Sequence, residues 1–334
     1  TRIMAAHVVE IVDRDTGSSA RVLVSLGFNC FSWRPVLADG PREMLWADAD
    51  FEAGDKRPSG SGIPLLFPFP GRISQAAFQF AGREYRLEPG DAFGNAIHGF
   101  VFNRPWRILE HKGARLVGEF QASVDDPSIL DRWPADFRIR VAYEVRGREL
   151  VNNIEYANAG DGPLPCGFGT HAYFRLPLAG GGHVADTVVT VPVSQLWEVE
   201  QMIPTGRLHP IALNQQLAEG LRLGDQQFDT CFTGVRADSD GLVRNQLTDP
   251  VTGRRLSQTF SSAFTQCVVY TPGHRQAICI EPYTCVPDAI RLTADGHSTG
   301  LQILQPGERF KTTIKIEVEE KNEQEEAEEA EIGL

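Results

Sequence analysis

The chain has 334 residues, 32 glycines, 21 prolines and a formal charge of −12, a length that fits one large β core or two ordinary domains. Residues 317–334 hold nine glutamates and one lysine, a net of −8, which leaves −4 for the rest. Without a basic run or lysine-rich stripe to answer phosphate charge, the body offers nothing for nucleic acid.

The elements read from the chain are mostly strands. Residues 1–15 (TRIMAAHVVEIVDRD) lack the apolar core of a signal peptide, and no stretch is long and apolar enough to span a bilayer, so a cytoplasmic protein without membrane attachment is expected. Period-two alternation predicts strands at Arg21–Val24, Phe137–Tyr143 and Phe310–Ile316. Turn-rich segments at 82–83, 146–148, 158–162 and 180–182 separate the strand signals, as in sequentially joined antiparallel hairpins. Short helices are expected only around Pro127–Arg132, capped by Asp125 or Asp126, and around Leu213–Leu221. No internal repeat or linker-like shift appears before the C-terminal acidic run. The expected architecture is all-β, a single antiparallel domain over residues 5–318, followed by an acidic, solvated tail at 319–334.

The six cysteines are scattered, without the close paired spacing of a zinc site or the density of a disulfide scaffold, and read as reduced buried thiols. Four other segments place polar groups in apolar, proline- or glycine-shaped surroundings: Gly62–Ile73 (GIPLLFPFPGRI), Asn95–Phe100 (NAIHGF), Gly167–Phe174 (GFGTHAYF) and Ile278–Thr284 (ICIEPYT). Three prolines stiffen the first, so Arg72 is delivered from a fixed loop and needs a partner, either a ligand or a core carboxylate. His98 and His171 each sit beside glycine and an aromatic residue, where an imidazole's pKa is easily moved; either could equally be a satisfied core residue. Glu281 ends an apolar strand-like run before proline, and glutamate is seldom buried without a reason. The remaining histidines (His7, His111, His183, His209, His274, His297) read as surface residues. Short-spaced metal motifs are absent from these segments, no metal is expected, and no Gly-x-Ser-x-Gly elbow points to a serine hydrolase.

In this order the four segments resemble the aldose 1-epimerase (galactose mutarotase) family, from about residue 20 to 318. Further matches are Trp133-Pro134, the stretch from Asn158 through Pro165, Phe228–Phe232 and Val268–Pro272. The resemblance implies a large antiparallel β sandwich with a sugar cleft on one concave sheet face. It implies His171 as general acid, Glu281 as general base, His98 holding the sugar near its ring oxygen, and Arg72 and Asp229 bonding the sugar hydroxyls. The family commonly has asparagine before that arginine; this chain has Gly71.

The implied reaction exchanges the α and β anomers of a free aldose of the glucose or galactose type without a cofactor, the small monosaccharide being the only partner. It calls for Glu281 ionised and His171 protonated at the start of a turnover. Two other readings share the fold. A hexose-6-phosphate 1-epimerase needs cations around the phosphate, and its first motif is tryptophan-rich, unlike Phe67–Arg72 here. A non-catalytic sugar-binding protein would be expected to have lost the acid or the base.

Overall fold

The computed structural model describes residues 6–320; most of the expected acidic tail, from Lys321 onward, lies outside the described residues, as do residues 1–5. The architecture is all-β, with two short α-helices among the described residues, Ala122–Asp125 and Ala289–Ala294. One sheet has nine strands in the order Arg107–Lys112, Arg115–Gln121, Phe137–Arg146, Glu149–Asn158, Arg309–Glu319, Arg255–Ser261, Leu242–Thr248, Val188–Thr190 and Leu221–Arg222. The second has eight. Its path runs Ile203–Pro210, Gln195–Glu200, Asp229–Thr233, Gln266–Tyr270, Ala277–Tyr283, Gly169–Thr170 and Leu65–Leu66, with Ala172–Arg175 also pairing Ala277–Tyr283. All of these pairings are antiparallel.

The alternating segments become strands at Ser19–Leu23, Phe137–Arg146 and Arg309–Glu319. Phe137, Ile139, Val141 and Tyr143 turn inward from the nine-stranded sheet and meet Phe232, Val269, Ile278 and Ile280 of the other in one apolar core. Phe67 is fully buried in it, edge-on to Phe137 (ring centroids 5.1 Å apart) and tilted against Tyr156 (4.8 Å). Truncating such a ring to alanine costs about 3–5 kcal/mol, so the proline-rich segment that carries Arg72 is pinned by its own aromatic residue.

Of the two short helices expected, the one around residue 127 forms and the other does not. Leu213–Leu221 forms only a 3₁₀ turn at Leu213–Gln215, because Leu217 is buried in the core while Leu213 projects into solvent, a spacing one helical face cannot serve. Around residue 127 the chain makes a 3₁₀ turn, Pro127–Asp131, which Asp126 caps through the Ser128 amide. At the C-terminal end the last strand includes Glu319, and Glu320 accepts from Arg254 (2.7 Å) and the Ala38 amide (3.0 Å), so ordered pairing runs two residues beyond the expected boundary at 318. The six cysteines are all free and buried. No helix among the described residues is long and apolar enough to cross a membrane.

Candidate active site

The period of two sorts the central strands of the eight-stranded sheet. Ile278 and Ile280 point into the core, which leaves Cys279, Glu281 and Tyr283 on the opposite face. The same alternation brings Val268 and Tyr270, then Asp229 and Cys231, to that face. Register aligns them in rows: Cys231 opposite Val268 opposite Glu281, and Asp229 opposite Tyr270 opposite Cys279. All seven residues of Ala277–Tyr283 are nonetheless buried, since loops roof the outer face. That roof makes a cavity of about 230 Å³ lined by Arg72, His98, His171, Asp229 and Glu281 together with Arg57, Tyr173 and Tyr283. The five residues singled out in the sequence therefore share one cavity.

His171 falls where Gly169–Thr170 passes into Ala172–Arg175, and its amide bonds the Pro64 carbonyl (3.0 Å). Its imidazole stacks on Tyr173 (4.9 Å between centroids) and meets the His98 ring edge-on (5.6 Å). His171 Nε2 lies 3.3 Å from Glu281 Oε1, and the Tyr283 hydroxyl donates to Glu281 Oε2 at 2.5 Å. Neither histidine's Nδ1 has a partner among the described residues.

The first and second segments are stitched together. Arg72 pairs with Ile97 in a two-stranded ladder, and the His98 amide donates to the Gly71 carbonyl at 2.7 Å. His98 takes a left-handed conformation (φ 65°), and a Cβ on the following Gly99 would lie 2.1 Å from the Phe67 carbonyl oxygen. Only glycine lets the two chains approach that closely. Gly71, also left-handed (φ 67°), lies against Pro287, whose Cγ would be 2.5 Å from an added Cβ. A larger residue at position 71 would therefore press on Pro287.

Arg72 has a carboxylate partner in the structure. Its Nε donates to Asp91 Oδ2 (2.9 Å), and the side chain still lines the cavity. Burial works to raise the Asp91 carboxyl, but the amide and side chain of Asn95, the Phe93 amide and Arg72 outweigh it and hold Asp91 below the usual carboxylate range. Asp229 is exposed at the cavity's rim; the protein around it raises its carboxyl, with Arg72 acting the other way.

Burial dominates the electrostatics of the central pair. It lowers His171 to about 3, helped by Arg57 and Arg72, and raises Glu281 well above its ordinary value against the opposing Tyr283 hydrogen bond. His98 is likewise driven down, first by burial and then by His171, Arg72 and Arg57. The expected protonated His171 beside an ionised Glu281 is thus not the state that burial favours. A neutral imidazole and a neutral carboxyl hold the same single proton at lower desolvation cost.

His171, Cys279 and Glu281 also present three potential metal ligand atoms within 4.8 Å of one another. The Cys279 thiol is pushed well above its ordinary value by burial and by Glu281, so a cation there would first have to displace its proton. The donor set suits proton exchange better than metal binding. Of the other histidines, His297 is half-buried rather than on the surface, edge-on to Trp197 and close against Gly206. His274 is exposed but stacks on Trp46 at 4.0 Å. Sequence reasoning missed Tyr173 and Tyr283, although each stands two residues from a chosen side chain on the same strand face. It also missed Arg57, which sits in a polar loop with no motif signal.

Several solved structures share the fold. A galactose mutarotase-like protein from Clostridium acetobutylicum superposes with a TM-score of 0.81 at 21% identity, covering 95% of this chain and 99% of that one. The GalM/aldose epimerase homologue from C. elegans gives 0.77 at 19% identity, covering 95% and 100%. In sequence, the uncharacterized protein YphB of Escherichia coli (strain K12) is 28% identical over 300 residues, 86% of this chain and 91% of its own length. The uncharacterized protein YihR of the same organism is 23% identical over 257 residues, 75% and 77% respectively. The family model for aldose 1-epimerase matches residues 14–317, and the chain belongs to that family.

Proposed function

We propose that this protein interconverts the α and β anomers of an aldose, with His171 and Glu281 as the proton-transfer pair. The observation that carries the proposal is the 3.3 Å approach of His171 Nε2 to Glu281 Oε1 inside a cavity of monosaccharide scale. Two groups that accept and release protons, adjacent and shielded from solvent, suit a reaction in which one proton leaves as another arrives.

Glu281 takes the proton of the C1 hydroxyl while His171 gives one to the ring oxygen. The bond from C1 to the ring oxygen breaks, the C1 carbonyl forms, and the open-chain aldehyde turns about C1–C2. On closure His171 removes the proton from the C5 hydroxyl, that oxygen attacks the other face of C1, and Glu281 returns its proton to the new anomeric hydroxyl. Atoms and charge balance, and no cofactor takes part.

The single proton of the neutral pair is the only one required. Moving it from Glu281 to His171 produces the ion pair that starts the reaction, and nearby dipoles and charges decide when that shift is favourable. Arg72 stabilises ionised Glu281. The Tyr283 hydroxyl does so through its hydrogen bond. His98 holds the sugar near its ring oxygen, and Arg72 and Asp229 bond its hydroxyls. The six unpaired thiols support a reducing, cytoplasmic location. Polarimetry on freshly dissolved α-D-glucose and α-D-galactose tests the reading. Catalysed decay of rotation toward equilibrium is expected, and no acceleration with any of several aldoses would refute it.

A further inference from the structure

Moving the shared proton from Glu281 to His171 creates an imidazolium in a buried cleft, and little around it answers that charge except Glu281 itself. Burial, Arg57 and Arg72 oppose it, and the residue's own backbone carbonyl favours it from a position that falls short of hydrogen-bond geometry. Nδ1, where a histidine that carries charge commonly donates to a carboxylate or carbonyl, has no partner among the described residues. The face of the ring is occupied instead. Tyr173 lies nearly parallel to it, with ring centroids 4.9 Å apart and planes inclined by 11°. The Tyr173 ring is firmly placed: its hydroxyl donates to the Ser59 carbonyl (3.0 Å) and its amide to the Gly62 carbonyl (2.9 Å). Trp46 tilts against it at 6.0 Å, and Trp46 is itself fixed by Gln276 Oε1 at its Nε1 (3.1 Å) and by the stacked His274.

We propose that Tyr173 is a positioning residue for the proton transfer, its ring face stabilising the imidazolium form of His171 that appears during turnover. The inference rests on the anomerase reading and deepens it. A cation within about 6 Å of a tyrosine face is attracted by the ring quadrupole, most strongly where water is excluded. His171 and Tyr173 meet that condition, at 8% and 6% exposed. A neutral imidazole gains far less from the same stack, so the contact strengthens as the proton arrives and acts on the barrier rather than on sugar binding. Two other rings touch this imidazole, Tyr270 at 6.2 Å and His98 at 5.6 Å, but both stand nearly perpendicular to it. Ser59 engages the Tyr173 hydroxyl, which leaves the ring face as what Tyr173 offers the histidine. Packing alone would be served by any apolar side chain of similar volume.

Exchange NMR of an aldose that the wild type accelerates provides the test, with Tyr173→Phe, Tyr173→Leu and the mono-, di- and trifluorinated forms of phenylalanine incorporated at position 173. Tyr173→Phe keeps the face and should hold kcat within about threefold of the wild type. Tyr173→Leu removes the face and should lower kcat about 10- to 30-fold with KM changed less than about threefold, the pattern of an interaction made only on the way to the transition state. Fluorine withdraws electron density from the ring at nearly constant size. Along that series kcat should fall stepwise from the Tyr173→Phe value, by about tenfold at the trifluorinated ring, while the denaturant midpoint stays level. If Tyr173→Leu fails to fold, the fluorinated series decides alone. A kcat that is flat or rises along the series overturns the proposal and leaves the anomerase reading intact. So does a Tyr173→Phe variant as slow as a folded Tyr173→Leu, or a loss confined to KM, which would make Tyr173 a sugar contact. A wild type that accelerates none of several aldoses overturns the anomerase reading and this proposal with it.

Discussion

His171 Nε2 and Glu281 Oε1 are 3.3 Å apart, and the two residues are 8% and 1% exposed. At that separation and burial they titrate as one unit holding one proton. The pH dependence of activity follows from the states on either side of it.

Activity should form a plateau bounded by two limbs. Burial lowers His171 to about 3, so acidification toward that value adds a second proton to the pair and removes its capacity to accept. Glu281 is raised well above the usual carboxylate range. The alkaline limb, where the pair loses its only proton and with it the acid, must therefore also lie above that range. A profile of kcat/KM against pH, on protein shown to stay folded at each pH, checks both limbs. A plateau ending within the ordinary carboxylate range on its alkaline side would contradict the coupled-pair account.

The Tyr283 hydroxyl stabilises the ionised form of Glu281 through its 2.5 Å hydrogen bond. Removing it in Tyr283→Phe raises the Glu281 pKa further and moves the alkaline limb to higher pH. A hydrogen bond to a charged group contributes about 1.5–3 kcal/mol, equivalent to about 1–2 pH units. A structural role alone would lower stability and leave the limb where it was.

Asparagine in place of Gly71 should destabilise the fold rather than improve the site. The new Cβ would meet Pro287 Cγ at 2.5 Å and Cβ at 2.8 Å, an overpacking cost of about 1–3 kcal/mol. Denaturant unfolding should show that loss in Gly71→Asn and a partial recovery in Gly71→Asn/Pro287→Ala. Additive losses in the double variant would mean that the two positions do not meet.

Prolonged dialysis against a chelator should leave kcat unchanged, although His171, Cys279 and Glu281 lie within reach of a common ion. Loss of activity restored by a divalent cation would identify the cluster as a metal site instead.

Much of this site could be read from the sequence because its residues sit in backbone that announces itself. Pro64, Pro68 and Pro70 mark a stiff loop before Arg72, Gly99 marks a close approach beside His98, and a glutamate in an apolar strand marks Glu281. The strand period would also have given Tyr173 and Tyr283, each two residues along from a chosen side chain. Arg57 was not legible: its loop is polar, and its value lies in which cavity the fold turns it toward. Nor was the position of the shared proton, which depends on desolvation by loops distant in sequence. The helix expected at Leu213–Leu221 failed for a related reason, since core packing of Leu217 outweighed local propensity.

The most direct test of the central claim is the anomer exchange rate in the wild type, His171→Asn, Glu281→Gln and the double variant, with an aldose the wild type accelerates. Each single substitution should lower kcat by about 10²–10⁴-fold, and the double variant should be little slower than the worse single one, since the two residues act as a unit. Single variants that keep the wild-type rate within a few-fold would contradict the assignment of His171 and Glu281 as the proton-transfer pair.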